Sequence, residues 1–276
     1  LPFGLSIQPG SATNTYTVFA LNGNERLPLD AATVQGDSIR IPNALFESEL
    51  VAKIDGNTLR GTYRRKRVGQ PLQTLPFEAE YGKTYRFVPE GESAGRSAST
   101  NVTGKWATDF GSETGKVDTV NAVGIFDQKG NRLTGTFLTP TGDYRYLEGN
   151  VVGDSLFLSC FDGSHVYLFK AKHDPATKTL KGGLWAGISG YEAWVARFDP
   201  KADLPDPAKL TYLKPGSKTL KASFPEPNGN VVSLTDPRFK GKVTIVRIMG
   251  SWCPNCMDET NFMSAWFKKN KSRGVE

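Results

Sequence analysis

Cys253 and Cys256, separated only by Pro254 and Asn255, form the one close cysteine pair in the chain. A thiolate attacks a disulfide sulfur and a second nearby thiol resolves the mixed disulfide, so this spacing suits dithiol redox chemistry. Trp252 precedes the pair and Glu259 follows it. The same spacing is also half of a zinc site, which needs four ligands. Cys160, His165 and His173 are the remaining candidates, and none repeats a paired spacing. A structural disulfide is a further reading, although loop-closure stabilisation shrinks as the loop shortens.

The flanking residues say which elements would hold the pair. Val243, Thr244, Ile245, Val246, Ile248 and Met249 predict a short buried strand, and Phe262, Met263, Trp266 and Phe267 recur at helical spacing. Cys253 then falls at a helix N-terminus. There the free N–H groups and the positive end of the helix dipole favour thiolate, which makes Cys253 the expected nucleophile and Cys256 the resolving thiol.

With Phe224 to Leu234, Phe239 to Val243, Trp252 to Cys256, Glu259 and Lys271 to Glu276 in this order, the segment resembles the TlpA-like and ResA-like thiol-disulfide oxidoreductases. The resemblance implies a thioredoxin-like domain over 217–276 and a cell-envelope or periplasmic enzyme that reduces protein disulfides. It implies Cys253 and Cys256 as catalytic residues, with Trp252 and Pro254 supporting them. Glu259 falls where ResA-like members carry a carboxylate, implying a proton relay. As a bare residue, Glu259 is equally a solvated acid in the first turns of a helix. Two departures stand out. Arg247 takes the place of thioredoxin's buried aspartate, and the chain ends before the family's later strand and cis-proline loop, so a truncated domain is expected.

A chain of 276 residues with 38% hydrophobic residues and a mean hydropathy of -0.38 accommodates about two domains. No run approaches the roughly 18 apolar residues of a membrane span, and Leu1 opens no signal-peptide pattern, so a processed or cut chain is expected. The net charge of +6 arises within residues 201–276. A basic rim there suits a solvated face or an anionic membrane surface. Arg64-Arg65-Lys66-Arg67 lacks interleaved aromatics and reads as an exposed strand end, not a nucleic-acid site. Cys160 reads as a buried small hydrophobe.

The remaining sequence alternates with strand period and repeats itself. Val34 to Ile41 and Val152 to Leu158 share a Gly-Asp-Ser turn, and Asn57 to Gly61 echoes Lys178 to Gly182. Two up-and-down, antiparallel, barrel-like units are therefore expected, over 1–92 and 100–199, separated by the Gly- and Ser-rich stretch Gly91 to Ser99. Eight short segments between Val102 and Phe198, opening on Gly104-Lys105-Trp106, resemble avidin-like and lipocalin-like meanders. Tyrosines and tryptophans such as Tyr144, Trp185 and Trp194 read as interior. The first unit has no counterpart of the Gly-Lys-Trp strand and is expected to begin one strand late. A Pro-rich linker over 200–216 follows.

The expected function is protein-disulfide reduction, with a partner dithiol supplying electrons and no cofactor or metal required. The competing expectation is a non-catalytic envelope module whose β region binds a ligand or partner. The oligomeric state and the β region's ligand are left open by the sequence.

Overall fold

Strand-period alternation governs residues 1–204, and it produces two antiparallel sheets. The computed structural model describes residues 1–66, 69–89, 97–188, 190–250 and 252–276. These form two compact units, Leu1–Leu204 and Pro205–Glu276.

The first sheet contains β1 (Gly4–Pro9), β2 (Thr15–Asn22), β3 (Glu25–Pro28), β4 (Ala32–Gln35), β5 (Ser38–Asn43), β6 (Ser48–Asp55), β7 (Thr58–Arg65) and β8 (Gln73–Glu80). Its order is β1-β2-β4-β5-β6-β7-β8, with β3 on β2, and among the described residues β1 and β8 are its edges. It is a half-barrel. The second sheet contains β9 (Gly104–Phe110), β10 (Ala122–Lys129), β11 (Arg132–Thr139), β12 (Gly142–Asp143), β13 (Leu147–Val152), β14 (Ser155–Phe161), β15 (Val166–Asp174), β16 (Thr179–Ala186) and β17 (Gly190–Phe198). Here β9 pairs with both β10 and β17, and β10 with β11, so eight strands close on themselves while β12 hangs on β11. Closure leaves no open edge.

The repeat read from the sequence is a structural repeat. Hairpins β4–β5 and β13–β14 turn on Gly36 and Gly153, with φ of 60° and 58°, where a side chain would be strained. In each, the next aspartate pairs with a lysine on the following strand, Asp37 with Lys53 and Asp154 with Lys172, both at 3.2 Å. A Cβ on Gly61 would stand 1.9 Å from the Val51 carbonyl oxygen, and one on Gly182 would stand 2.0 Å from that of Lys170. Following the registers, β1 and β2 correspond to β10 and β11, and β4 to β8 correspond to β13 to β17.

Side chains fill the barrel: Trp106, Phe126, Leu133, Phe137, Phe169, Leu180 and Trp194 pack in one cluster. The half-barrel has smaller residues at matching places, such as Ala20 for Phe137 and Leu50 for Phe169. Its interior is completed by the end of β14 and the 162–165 connection of the barrel. Phe161 packs at a tilt against Phe3, with ring centroids 4.3 Å apart, and meets Tyr63 edge-on at 5.7 Å. Asn22 exchanges hydrogen bonds with the Phe161 backbone at 2.8 and 3.2 Å. Ser48 donates to the Gly163 carbonyl, and Arg65 donates to the carbonyl and hydroxyl of Ser164. Arg65 is therefore buried, not on an exposed strand end, and Arg67 lies outside the described residues, as does most of the Gly91 to Ser99 stretch.

The second unit corrects the thioredoxin-like expectation. It contains helix α1 (Pro207–Leu210), a hairpin of β18 (Ser223–Pro225) and β19 (Val231–Ser233), and one long helix, α2 (Pro254–Asn270). The run predicted as a buried strand, Val243 to Met249, joins no sheet. A single parallel bridge links Val243 to Val275, and Val243 and Ile248 are 68% and 95% exposed. An apolar strand of this kind is stable when neighbours satisfy both of its edges and cover both faces, and no described element does so here. Among the described residues of this unit only Pro254 is buried. The described residues are thus mainly β, with no α/β sheet among them.

Candidate functional site

The up-and-down topology brings the 111–121, 140–146 and 162–165 connections to one end of the barrel. Rings from four strands and one connection meet at that end. Phe110 closes β9, Tyr144 follows β12, and Tyr167 stands near the start of β15. Tyr144 lies 5.6 Å from Phe110 and 5.1 Å from Tyr167, with Phe169 5.2 Å away. Deeper, Trp194 of β17 meets Phe137 at 5.2 Å and Phe110 at 6.3 Å. Phe110, Tyr144 and Tyr167 are half-buried, whereas Trp194 is fully buried.

Trp194 breaks the usual rule that a buried polar group is hydrogen-bonded. Its indole Nε1 has no hydrogen-bond partner among the described residues. At the opposite end of the same barrel Trp106 obeys the rule, donating through Nε1 to the Val102 carbonyl at 2.8 Å. Trp106, His173 and Phe198 close that end, the two rings lying 5.6 and 5.4 Å from Trp106.

The phenols remain neutral. Burial pushes Tyr144 upward and the Glu192 carboxylate adds to it; burial likewise raises Tyr167, with Asp162 next in effect. Asp162 is buried yet held below the usual carboxylate range, because it accepts from the backbone N–H groups of Ser164 and His165 and pairs with the His165 ring at 3.1 Å. Burial holds the Cys160 thiol protonated, in keeping with a small core residue.

The predicted dithiol lies in the second unit. Cys253 is the N-cap of α2, and its Sγ accepts from the Cys256 backbone N–H at 3.3 Å. Both thiols are free and half-buried. Burial raises the Cys253 thiol, while the hydrogen bond from Cys253, the Gly250 backbone and the Arg247 charge lower Cys256. Glu259 pairs with Arg247 Nη1 at 3.3 Å, and the same nitrogen donates to the Cys256 carbonyl at 3.2 Å. Pro254 is buried at the first turn and Trp252 is exposed. The structure therefore gathers Cys253, Cys256, Arg247 and Glu259 around the start of one helix, without the sheet that a thioredoxin-like site is built on.

No protein-family model matches the chain, and no curated protein or solved structure does. Together with the nearly all-β fold, this overturns the assignment to TlpA-like or ResA-like enzymes and the oxidoreductase activity that followed from it. The avidin-like and lipocalin-like expectation is likewise met by no match, and what stands is a closed eight-stranded barrel. Of the aromatic residues read as interior, Trp194 is interior, but Trp185 stands 40% exposed on the barrel's outer face. Phe110 and Tyr167 were missed because each is an ordinary strand aromatic until closure brings β9 and β15 to the same end. The signal available for them was alternation, which places both on the inner face.

Proposed function

We propose that the β region is a non-catalytic binding module, and that the barrel end formed by Phe110, Tyr144 and Tyr167 receives a small, largely apolar ligand carrying a hydrogen-bond acceptor. An eight-stranded barrel is just wide enough to be filled by side chains or to hold one small ligand. Phe137, Phe169 and Leu133 fill the middle of this one, which leaves the end beside Tyr144 and Tyr167 as the place for a guest.

The observation that carries the reading is the unpartnered Trp194 N–H beneath those rings. Leaving a buried donor unsatisfied costs about 1–3 kcal/mol, so a phenylalanine would serve a purely structural core better. An acceptor on a bound molecule offsets that cost.

Anilinonaphthalene sulfonate, which combines apolar rings with an acceptor, is a suitable probe. Titration should give saturable one-to-one fluorescence enhancement. Trp194→Phe should weaken it about fivefold, the worth of one hydrogen bond of about 1 kcal/mol. Tyr144→Leu should weaken it as well. Equal affinity in wild type and both variants would remove the barrel end as the site and overturn the reading.

A further inference from the structure

Strand alternation places every second residue of the barrel on its inner face, and the cross-strand registers carry that face around all eight closing strands. On β17 the inner residues are Gly190, Glu192, Trp194, Ala196 and Phe198. Glu192 is the one aspartate, glutamate, lysine or arginine on the inner face of any of these strands. Its cross-strand neighbour Leu184 is buried and apolar. A carboxylate on an inward position stays charged only where water or a counter-charge reaches it.

Glu192 belongs to the barrel end that carries the aromatic rings. It stands two residues before Trp194 on the same face, about 7 Å along the strand. A Cβ on Gly111, the residue after Phe110, would lie 3.4 Å from Glu192 Oε1. The same carboxylate adds to the rise that burial gives the Tyr144 phenol. Glu192 is exposed, and among the described residues it makes no ion pair or hydrogen bond.

Other charges at this end are already committed. Asp162 pairs with the His165 ring, which stacks on Tyr167 with centroids 4.9 Å apart. Arg65, whose charge opposes the rise in Tyr167, donates to Ser164, and Arg145, next to Tyr144 in sequence, pairs with Glu25 at 2.6 Å. Negative charge therefore stands unmatched beside Phe110 and Tyr144. Ring faces also favour a cation, because their quadrupole attracts one within about 6 Å of the centroid. The buried, unpartnered Trp194 N–H lies beneath the same rings and calls for an acceptor.

We propose, building on the binding-module reading, that the ligand of this barrel end is an organic ammonium compound. Its acceptor meets the Trp194 N–H, and its ammonium lies beside the Glu192 carboxylate and the Phe110 and Tyr144 rings. Anionic ligands of the same shape are disfavoured by like charge, so Glu192 sets selectivity while Trp194 and the rings hold the body of the ligand.

Dansyl ethylenediamine and dansyl glycine test this on the intact 276-residue chain. Both carry the same fluorescent rings and sulfonyl acceptor, and they differ in ending on an ammonium or a carboxylate. Fluorescence titration should show the ammonium probe binding about tenfold more tightly, a preference that shrinks as salt is added. Glu192→Gln should bring the two probes within about threefold of each other, and Glu192→Lys should reverse their order. Both variants should keep the wild-type circular dichroism, since the side chain is exposed. Trp194→Phe should weaken both probes alike and leave their ratio unchanged. Equal affinity of the two probes for the wild type, or a preference that survives Glu192→Gln, overturns the assignment of a cationic ligand. If Trp194→Phe still weakens both probes in that event, the binding-module reading stands without it. Absence of saturable binding by either probe, or binding indifferent to Trp194→Phe, removes the barrel end as a site and the ammonium proposal with it.

Discussion

The two sheets of the first unit share turns, registers and ion pairs, yet one closes and the other does not. A single strand makes the difference. With β9 in place, Trp106 is buried at one end of the barrel and Phe110 packs half-buried at the other. Among the described residues no strand takes that place in the other sheet, where Ile7, Leu59 and Ala79 stay partly exposed and Phe161, from the end of β14, joins the core. Closure, more than composition, decides how completely a given set of apolar side chains is buried.

Substitution at the closing strand should break the comparison most severely. Trp106→Ala should destabilise the barrel by about 3–5 kcal/mol, the range for deleting a large buried aromatic side chain. It converts one end of the barrel to the state of the half-barrel, and thermal unfolding checks it. Phe77→Ala, at the position matching Trp194, should cost less than Trp194→Ala, because Phe77 is the smaller side chain and is 7% exposed where Trp194 is fully buried.

Phe161→Ala should act on the half-barrel, removing about 3 kcal/mol of packing there. Hydrogen exchange should then quicken in β2, β6 and β7 while β9 and β17 keep their protection. Uniform acceleration through both sheets would show that they unfold as one body.

The connection that follows Phe161 is held by Asp162, whose carboxyl is more acidic folded than unfolded. Its stabilisation is therefore fully present above the ordinary aspartate pKa of about 4 and is lost as the pH falls through the lower folded value. Acid should weaken the half-barrel before the barrel. Asp162→Asn should cost about 1–3 kcal/mol at neutral pH and flatten that acid dependence, measured by unfolding between pH 2 and 7.

The smallest effect concerns the second unit, where no sheet surrounds the cysteines. Alkylation followed against pH should show Cys256 reacting at lower pH than Cys253, the order set by the hydrogen bond between them. Arg247→Ala should shift Cys256 toward Cys253. Reaction of Cys253 first would restore the acidity order expected from a helix N-terminus alone.

Local pattern made much of this molecule legible. The Gly-Asp-Ser turns, the strand alternation from Gly104 to Phe198, the helix carrying Phe262 to Phe267 and the burial of Cys160 all follow from backbone sterics and periodicity, which act within a few residues. What the sequence left undecided depends on residues far apart. Val243 to Met249 has the composition of a buried strand, but a strand exists only through its neighbours' hydrogen bonds, and none forms a sheet with it here. Arg65 sits in a run of basic residues and is nevertheless buried, because Ser164, far along the chain, accepts its hydrogen bonds. Phe110, Tyr144, Tyr167 and Trp194 become a site only when the barrel closes. Side-chain alternation assigns each residue to a face, whereas tertiary structure alone determines which faces and which ends meet.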